Sequence, residues 1–220
     1  MSFEFLTVDA VRAIARSPME RRAKAAGARF EVRDGWNVAV EYRLPPPETS
    51  WADVSHLGKL ELHDHQVADL PLQLGTATRS GGAWWCPLTE RRALVLGEPA
   101  VLSEVEERRG GASAVDVTTV FAAITLVGQQ AREVFAPFCA LDLRPSVTPV
   151  GGLRPGSIAR QPGIVLRESA NRYLFLFGWA LGEYMWTVVE DAARHLGGGP
   201  FGLDALATLE QPQEEPPVRA

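Results

Sequence analysis

Hydrophobic and polar positions change period several times along this chain, and each change marks an element. Near the N-terminus, Val8, Val11, Ile14 and Ala15 form an apolar stripe at helical spacing behind a capping Thr7. Ser17-Pro18 stops that helix and starts another, predicted over Met19 to Ala26 and closed by Gly27. The period then drops to two. Phe30 and Val32 alternate with polar neighbours, as do Val38, Val40 and Tyr42, and Asp34-Gly35 between these runs is a hairpin signal. Pro45-Pro46-Pro47 breaks the chain as a surface loop. Leu57 to Leu62 is a predicted strand with Leu60 and Leu62 on one face.

Further along, the turn Arg79-Ser80-Gly81-Gly82 leads into an aromatic strand, Ala83 to Leu88. A second turn at Thr89-Glu90 precedes the apolar strand Ala93 to Leu96, so the two strands make a hairpin. Arg108 to Ser113 is a polar loop. Val120 to Val127 is an apolar strand, and Gly128 hands over to a helix predicted from Gln130 to Cys139. Ile164 to Leu166 and Tyr173 to Phe177 form a hairpin around Ser169-Ala170-Asn171. Leu181, Tyr184, Met185, Val188, Val189, Ala192 and Leu196 then mark a helix that Gly197-Gly198-Gly199 ends. From Gln211 the chain is rich in Pro and Glu and is predicted to be disordered. Hairpins with helices between them indicate an α+β class, with one domain over residues 1–210 and a tail over 211–220.

Composition narrows the function classes. The 220 residues are 46% hydrophobic, enough for one sizeable core or two small subdomains sharing one. A net charge of −5 argues against a nucleic-acid partner, whose phosphates need basic surface. No apolar run approaches the roughly 20 residues of a membrane span. Met1-Ser2-Phe3-Glu4 lacks the cationic lead-in of a secretory signal, which points to the cytoplasm and to reduced thiols at Cys86 and Cys139.

Four segments carry a family likeness. The first runs from Ser17-Pro18-Met19 through Gly27-Ala28-Arg29-Phe30 to Asp34-Gly35-Trp36-Asn37-Val38-Ala39-Val40. The second, and most specific, is Asp53-Val54-Ser55-His56-Leu57-Gly58-Lys59-Leu60. The third is Ala123 to Val134, with Gln129 in the turn after Gly128, and the fourth joins Tyr184-Met185-Trp186 to Gly202-Leu203-Asp204-Ala205-Leu206. Together they resemble the folate-binding domain of the glycine-cleavage T-protein (aminomethyltransferase) family, and the gamma subunit of heterotetrameric sarcosine oxidase most of all. The second segment is similar to that family's Asp-hydrophobic-Ser-His-Met-Gly motif. In the third, Gln129 stands where the family usually has proline. The resemblance implies ferredoxin-like and Greek-key parts around a central hole that holds tetrahydrofolate in active relatives.

Two departures qualify it. T-proteins carry an acidic residue just after a Gly-Gly turn, whereas Gly81-Gly82-Ala83-Trp84-Trp85-Cys86 has no carboxylate. An indole cannot take a proton from an amine or stabilise its charge as a carboxylate can. The family's Gly-Tyr-Thr-Gly-Glu motif is also absent from Arg167-Glu168-Ser169-Ala170-Asn171-Arg172-Tyr173. The chain ends where a T-protein would begin its second domain, which is a further likeness to the gamma subunit.

The candidate lining of the hole is His56, Trp85, Glu168 and Tyr173. Three of them have a plainer alternative. Ser55-His56 can fix a turn by bonding to backbone. One of Trp84 and Trp85 must face the core, and Tyr173 can be a core residue with a polar tip. Arg167 can reach a folate carboxylate or make a surface salt bridge. His63 and His65 share a strand face as half of a metal site, but no third ligand is evident. The expectation is a non-catalytic, gamma-like subunit that binds a larger flavoprotein in an amine-oxidising, one-carbon assembly. The alternative is a stand-alone tetrahydrofolate-dependent one-carbon transferase in which His56, Glu168 or Tyr173 replaces the missing acid.

Overall fold

A computed structural model describes residues 13–63, 72–108 and 113–209. Three sheets and five helices account for most of them. The smallest sheet joins β1 (Ala15–Arg16), β3 (Trp36–Glu41) and β2 (Arg29–Arg33) in the order β1-β3-β2, beside helix α1 (Glu20–Ala25). The β2–β3 hairpin turns at Asp34 and Gly35, whose φ angles of 49° and 77° are those of a type I′ turn. Ile14 and Ala15, expected to close an N-terminal helix, are not helical. Ala15 and Arg16 instead pair in parallel with Trp36 and Asn37. Val8 and Val11 lie outside the described residues.

The largest sheet has six strands: β4 (Ser50–Asp53), β10 (Phe121–Val127), β11 (Leu153–Ile158), β12 (Gln161–Ser169), β13 (Arg172–Gly178) and β14 (Gly199–Pro200). Their order is β11-β12-β13-β10-β4-β14. The third sheet has five: β5 (Gly58–His63), β6 (Thr78–Ser80), β7 (Ala83–Thr89), β8 (Arg92–Gly97) and β9 (Ser113–Asp116), in the order β6-β7-β8-β5-β9. The remaining helices are α2 (Pro99–Glu107), α3 (Ala131–Phe135), α4 (Gly182–Arg194) and α5 (Leu203–Leu209). None of the described helices is long and apolar enough to cross a membrane.

Strand alternation decides how these layers stack. On β13, Tyr173, Phe175 and Phe177 face α1, α3 and α4, while Leu174 and Leu176 face the five-stranded sheet. β10 repeats the division, with Ala122, Ile124 and Leu126 on the helix side and Ala123 on the other. On the helix side, Phe135 of α3 meets Phe175 edge to face, with ring centroids 5.3 Å apart. On the opposite side, Cys86, Leu94 and Leu96 of the five-stranded sheet pack against Leu153, Leu166, Leu174 and Leu176. The outer face of the five-stranded sheet buries Leu60, Leu62, Trp85 and Val95 under Leu102 of α2. The order of layers is therefore helices, six-stranded sheet, five-stranded sheet, α2. This is an α+β architecture in which an apolar cluster packs between the two large sheets.

Several elements differ from the sequence expectation. Helix α3 stops at Phe135 rather than Cys139. Pro137 has no N–H to continue the ladder, and the N–H groups of Phe138 and Cys139 both turn back to Phe135 O. Helix α2, with Pro99 at its first turn, was not expected; it presents a single buried residue, Leu102. Strands β4, β9 and β11 were also unmarked. The predicted tail, 211–220, lies outside the described residues.

Gly128 makes the turn from β10 towards α3 possible. Its φ is +125°, and a Cβ there would sit 2.0 Å from the carbonyl oxygen of Glu48. Gly128→Ala should lower the unfolding free energy by about 3 kcal/mol or more. Urea denaturation checks this: the midpoint falls while the slope stays constant.

Candidate functional site

The motif Asp53-Val54-Ser55-His56-Leu57-Gly58-Lys59 is the crossover from β4 of one large sheet to β5 of the other. Its polar groups bind one another. Asp53 Oδ1 accepts the Ser55 N–H at 3.0 Å, and Ser55 Oγ accepts the Ala123 N–H at 3.2 Å. The Lys59 ammonium, fully buried, donates to the carbonyls of Leu57 at 2.7 Å and Ser55 at 3.0 Å. Burial lowers the Lys59 pKa to about 8, against the pull of Asp53 and Asp116. Burial likewise raises that of Asp53, against its hydrogen bonds to Ser17 and Ser55.

His56 is half-buried on this crossover. Burial, then the positive charge of Lys59, lower its pKa to about 4, with Asp34 opposing and Arg33 adding to the effect. The imidazole is therefore neutral near pH 7. It borders a crevice of about 10 Å³ shared with Ser17, Asn37 and Asp53, room for roughly one water.

Glu168 lies elsewhere, on the side of β12 that faces the five-stranded sheet. The Trp84 indole Nε1–H donates to Glu168 Oε1 at 3.1 Å, and Arg172 Nε lies 2.8 Å from Oε2. The Arg79 guanidinium sits 5.8 Å from the Trp84 ring centroid. Burial pushes the Glu168 carboxyl above its ordinary pKa, outweighing Arg172, Trp84 and Arg79. Cys86, on the same strand face as Trp84, is fully buried, and burial raises its thiol pKa well beyond the ordinary range.

The four residues expected to line one hole are thus not brought together. Trp85 points away from the interface between the large sheets. It packs under α2, and its Nε1–H donates to Ser80 O at 3.3 Å. Trp84 is the indole that reaches the interface. Tyr173 belongs to the helix layer and meets Phe135 edge to face. Among the described residues Arg167 forms neither a surface salt bridge nor a carboxylate contact. Its guanidinium donates to the carbonyls of Thr148 at 2.9 Å, Ala170 at 2.8 Å and Ser169 at 3.2 Å, and lies 5.7 Å from the Tyr173 ring centroid. An open cleft of about 210 Å³ begins there, lined by Gln129, Arg132, Glu133, Arg167, Asn171 and Tyr173 among others. His63 pairs with Glu61 at 2.8 Å, His65 lies outside the described residues, and no group of three metal-ligating side chains occurs among those described.

With this geometry known, solved structures supply the comparison. A chain of heterotetrameric sarcosine oxidase from Corynebacterium sp. U-96, solved with pyrrole 2-carboxylate, superposes with a TM-score of 0.65 at 19% identity, over 84% of this chain and 97% of that one. The glycine cleavage system aminomethyltransferase T from Bartonella henselae superposes with a TM-score of 0.71 at 17% identity. The chain has the T-protein fold. It covers 89% of its own length in that second superposition and spans 62% of the Bartonella chain. No protein-family model and no curated protein sequence matches it.

The T-protein fold explains why the crossover motif is so polar yet so closed: it carries the chain between two sheets that pack face to face. The depressed pKa of His56 gives a test. The folded state holds the imidazole neutral between pH 6.5 and about 4, while the unfolded chain protonates it, so stability rises with pH through that window. At pH 5 the linkage amounts to about 2 kcal/mol. His56→Gln should remove that part of the acid sensitivity. Urea midpoints of both proteins at pH 5 and pH 8 check it, and equal pH slopes would refute the assignment.

Proposed function

We propose that this chain is a sarcosine oxidase gamma-like, non-catalytic subunit of an amine-oxidising flavoenzyme assembly linked to tetrahydrofolate one-carbon chemistry. The observation that carries this reading is the condition of the interface between the two large sheets. One-carbon transfer at an amine requires a carboxylate free to hold a proton or to stabilise positive charge beside the reacting nitrogen. The stretch after Gly81-Gly82 brings Trp84 and Cys86 to that face instead. Glu168 reaches the same face, but it is buried and engaged by Trp84 and Arg172. Cys86 is too deeply buried to supply a thiolate. The similarity to a chain of a heterotetrameric enzyme agrees with a subunit role.

The test is co-expression of the full chain with a large flavoprotein subunit of the sarcosine oxidase type from the same organism. The expected result is one species at the combined mass in size-exclusion chromatography, with amine oxidation that depends on the flavoprotein. A chain that elutes alone and itself transfers one-carbon units to tetrahydrofolate would overturn the proposal. It would favour the stand-alone transferase, with Glu168 in the role of the missing acid.

A further inference from the structure

The cleft beside Arg167 is separate from the interface that carries the proposed function, because it opens on the helix side of the six-stranded sheet. Its floor holds a charge that the protein does not neutralise. Arg167 is 7% exposed, and among the described residues the partners of its guanidinium are backbone carbonyls and the face of Tyr173. A guanidinium has five N–H donors in a fixed fork, and three go to the carbonyls of Thr148, Ser169 and Ala170. A buried charge without a counter-charge is unfavourable, and carbonyl dipoles offset only part of that cost. At the rim, Arg132 pairs with Glu133 at 2.8 Å, with both side chains more than 40% exposed. Exposed pairs of this kind are worth about 0–1 kcal/mol, so Arg132 can turn towards another anion. Gln129 and Asn171 add amide groups to the same walls.

We infer that this cleft is a binding site for a small organic carboxylate, held by the Arg167 guanidinium at the floor, which keeps two N–H donors beyond its three carbonyl bonds, and by Arg132 at the mouth. Planar bidentate recognition of a carboxylate is what a guanidinium in a fixed orientation does best. Glu133, the one acidic group lining the cleft among the described residues, disfavours a dianion as compact as phosphate and leaves room for a monocarboxylate. A cleft of about 210 Å³ suits a molecule larger than an inorganic ion.

Calorimetric titration of the full chain with acetate, benzoate and succinate, beside inorganic phosphate, tests this. The expected result is saturable one-to-one binding of at least one of the carboxylates, stronger than that of phosphate and weakened by added salt. Arg132→Gln, at an exposed position, should keep the fold and weaken that binding about tenfold. Arg167→Lys, which loses the planar fork, should abolish it; if that variant does not fold, Arg132→Gln alone decides. No saturation by any carboxylate at about 10 mM, preference for phosphate, or binding unchanged in Arg132→Gln would each overturn the inference.

Discussion

The buried ammonium of Lys59 is the contact on which the remaining layers depend. It sits inside the crossover between the two large sheets and donates to the carbonyls of Ser55 and Leu57, groups that would otherwise be sealed from water without a donor. Asp53 and Ser55 fix the same segment through the Ser55 and Ala123 N–H groups. Once this turn is set, β4 can enter the six-stranded sheet beside β10 and β5 can enter the five-stranded sheet beside β8 and β9. The faces of both sheets are then fixed, because each strand alternates from its starting residue. The family-like motif is in this sense an instruction for folding, and its histidine is a neutral side chain over a water-sized crevice.

Two sheets placed face to face must fill the space between them. Here Cys86, Leu94 and Leu96 meet Leu153, Leu166, Leu174 and Leu176 across it, and Trp84 and Glu168 form a polar cross-link there. An isolated carboxylate in such surroundings would be strongly unfavourable, so the indole N–H and the Arg172 guanidinium satisfy it. The indole hydrogen-bonds one oxygen of Glu168, and the Arg172 charge sits 2.8 Å from the other. The result is a T-protein fold whose inter-sheet space is structural, which is the physical basis for reading the chain as a subunit.

Much of this was legible in the sequence where local chemistry is strong. Asp34-Gly35 specified its hairpin, and the stripe from Leu181 to Val189 specified α4. The pair β12 and β13 followed from two apolar runs flanking Ser169-Ala170-Asn171. Helix α2 is hard to read because it fully buries only Leu102, with Val101 and Val105 half-covered beside it, so its apolar face is short. The candidate site was less legible. Both faces of β7 are apolar, Ala83 and Trp85 on one side and Trp84 and Cys86 on the other, so alternation could not tell which indole reaches the interface. For Tyr173 the plainer reading, a core residue, is the one the structure shows, in the helix layer. Arg167 satisfies itself on carbonyls contributed by two separate loops, a pairing that only the tertiary fold creates.

The central proposal is that this protein's own side chains, packed between the two large sheets, leave no site there for tetrahydrofolate. Thermal unfolding of the isolated protein with increasing tetrahydrofolate tests it most directly, because a ligand that binds the folded state at 100 times its Kd adds about 2.7 kcal/mol. The account predicts a melting temperature that does not change through millimolar ligand. A melting temperature that climbs steadily with ligand concentration, and loses that climb in Glu168→Gln, would contradict it.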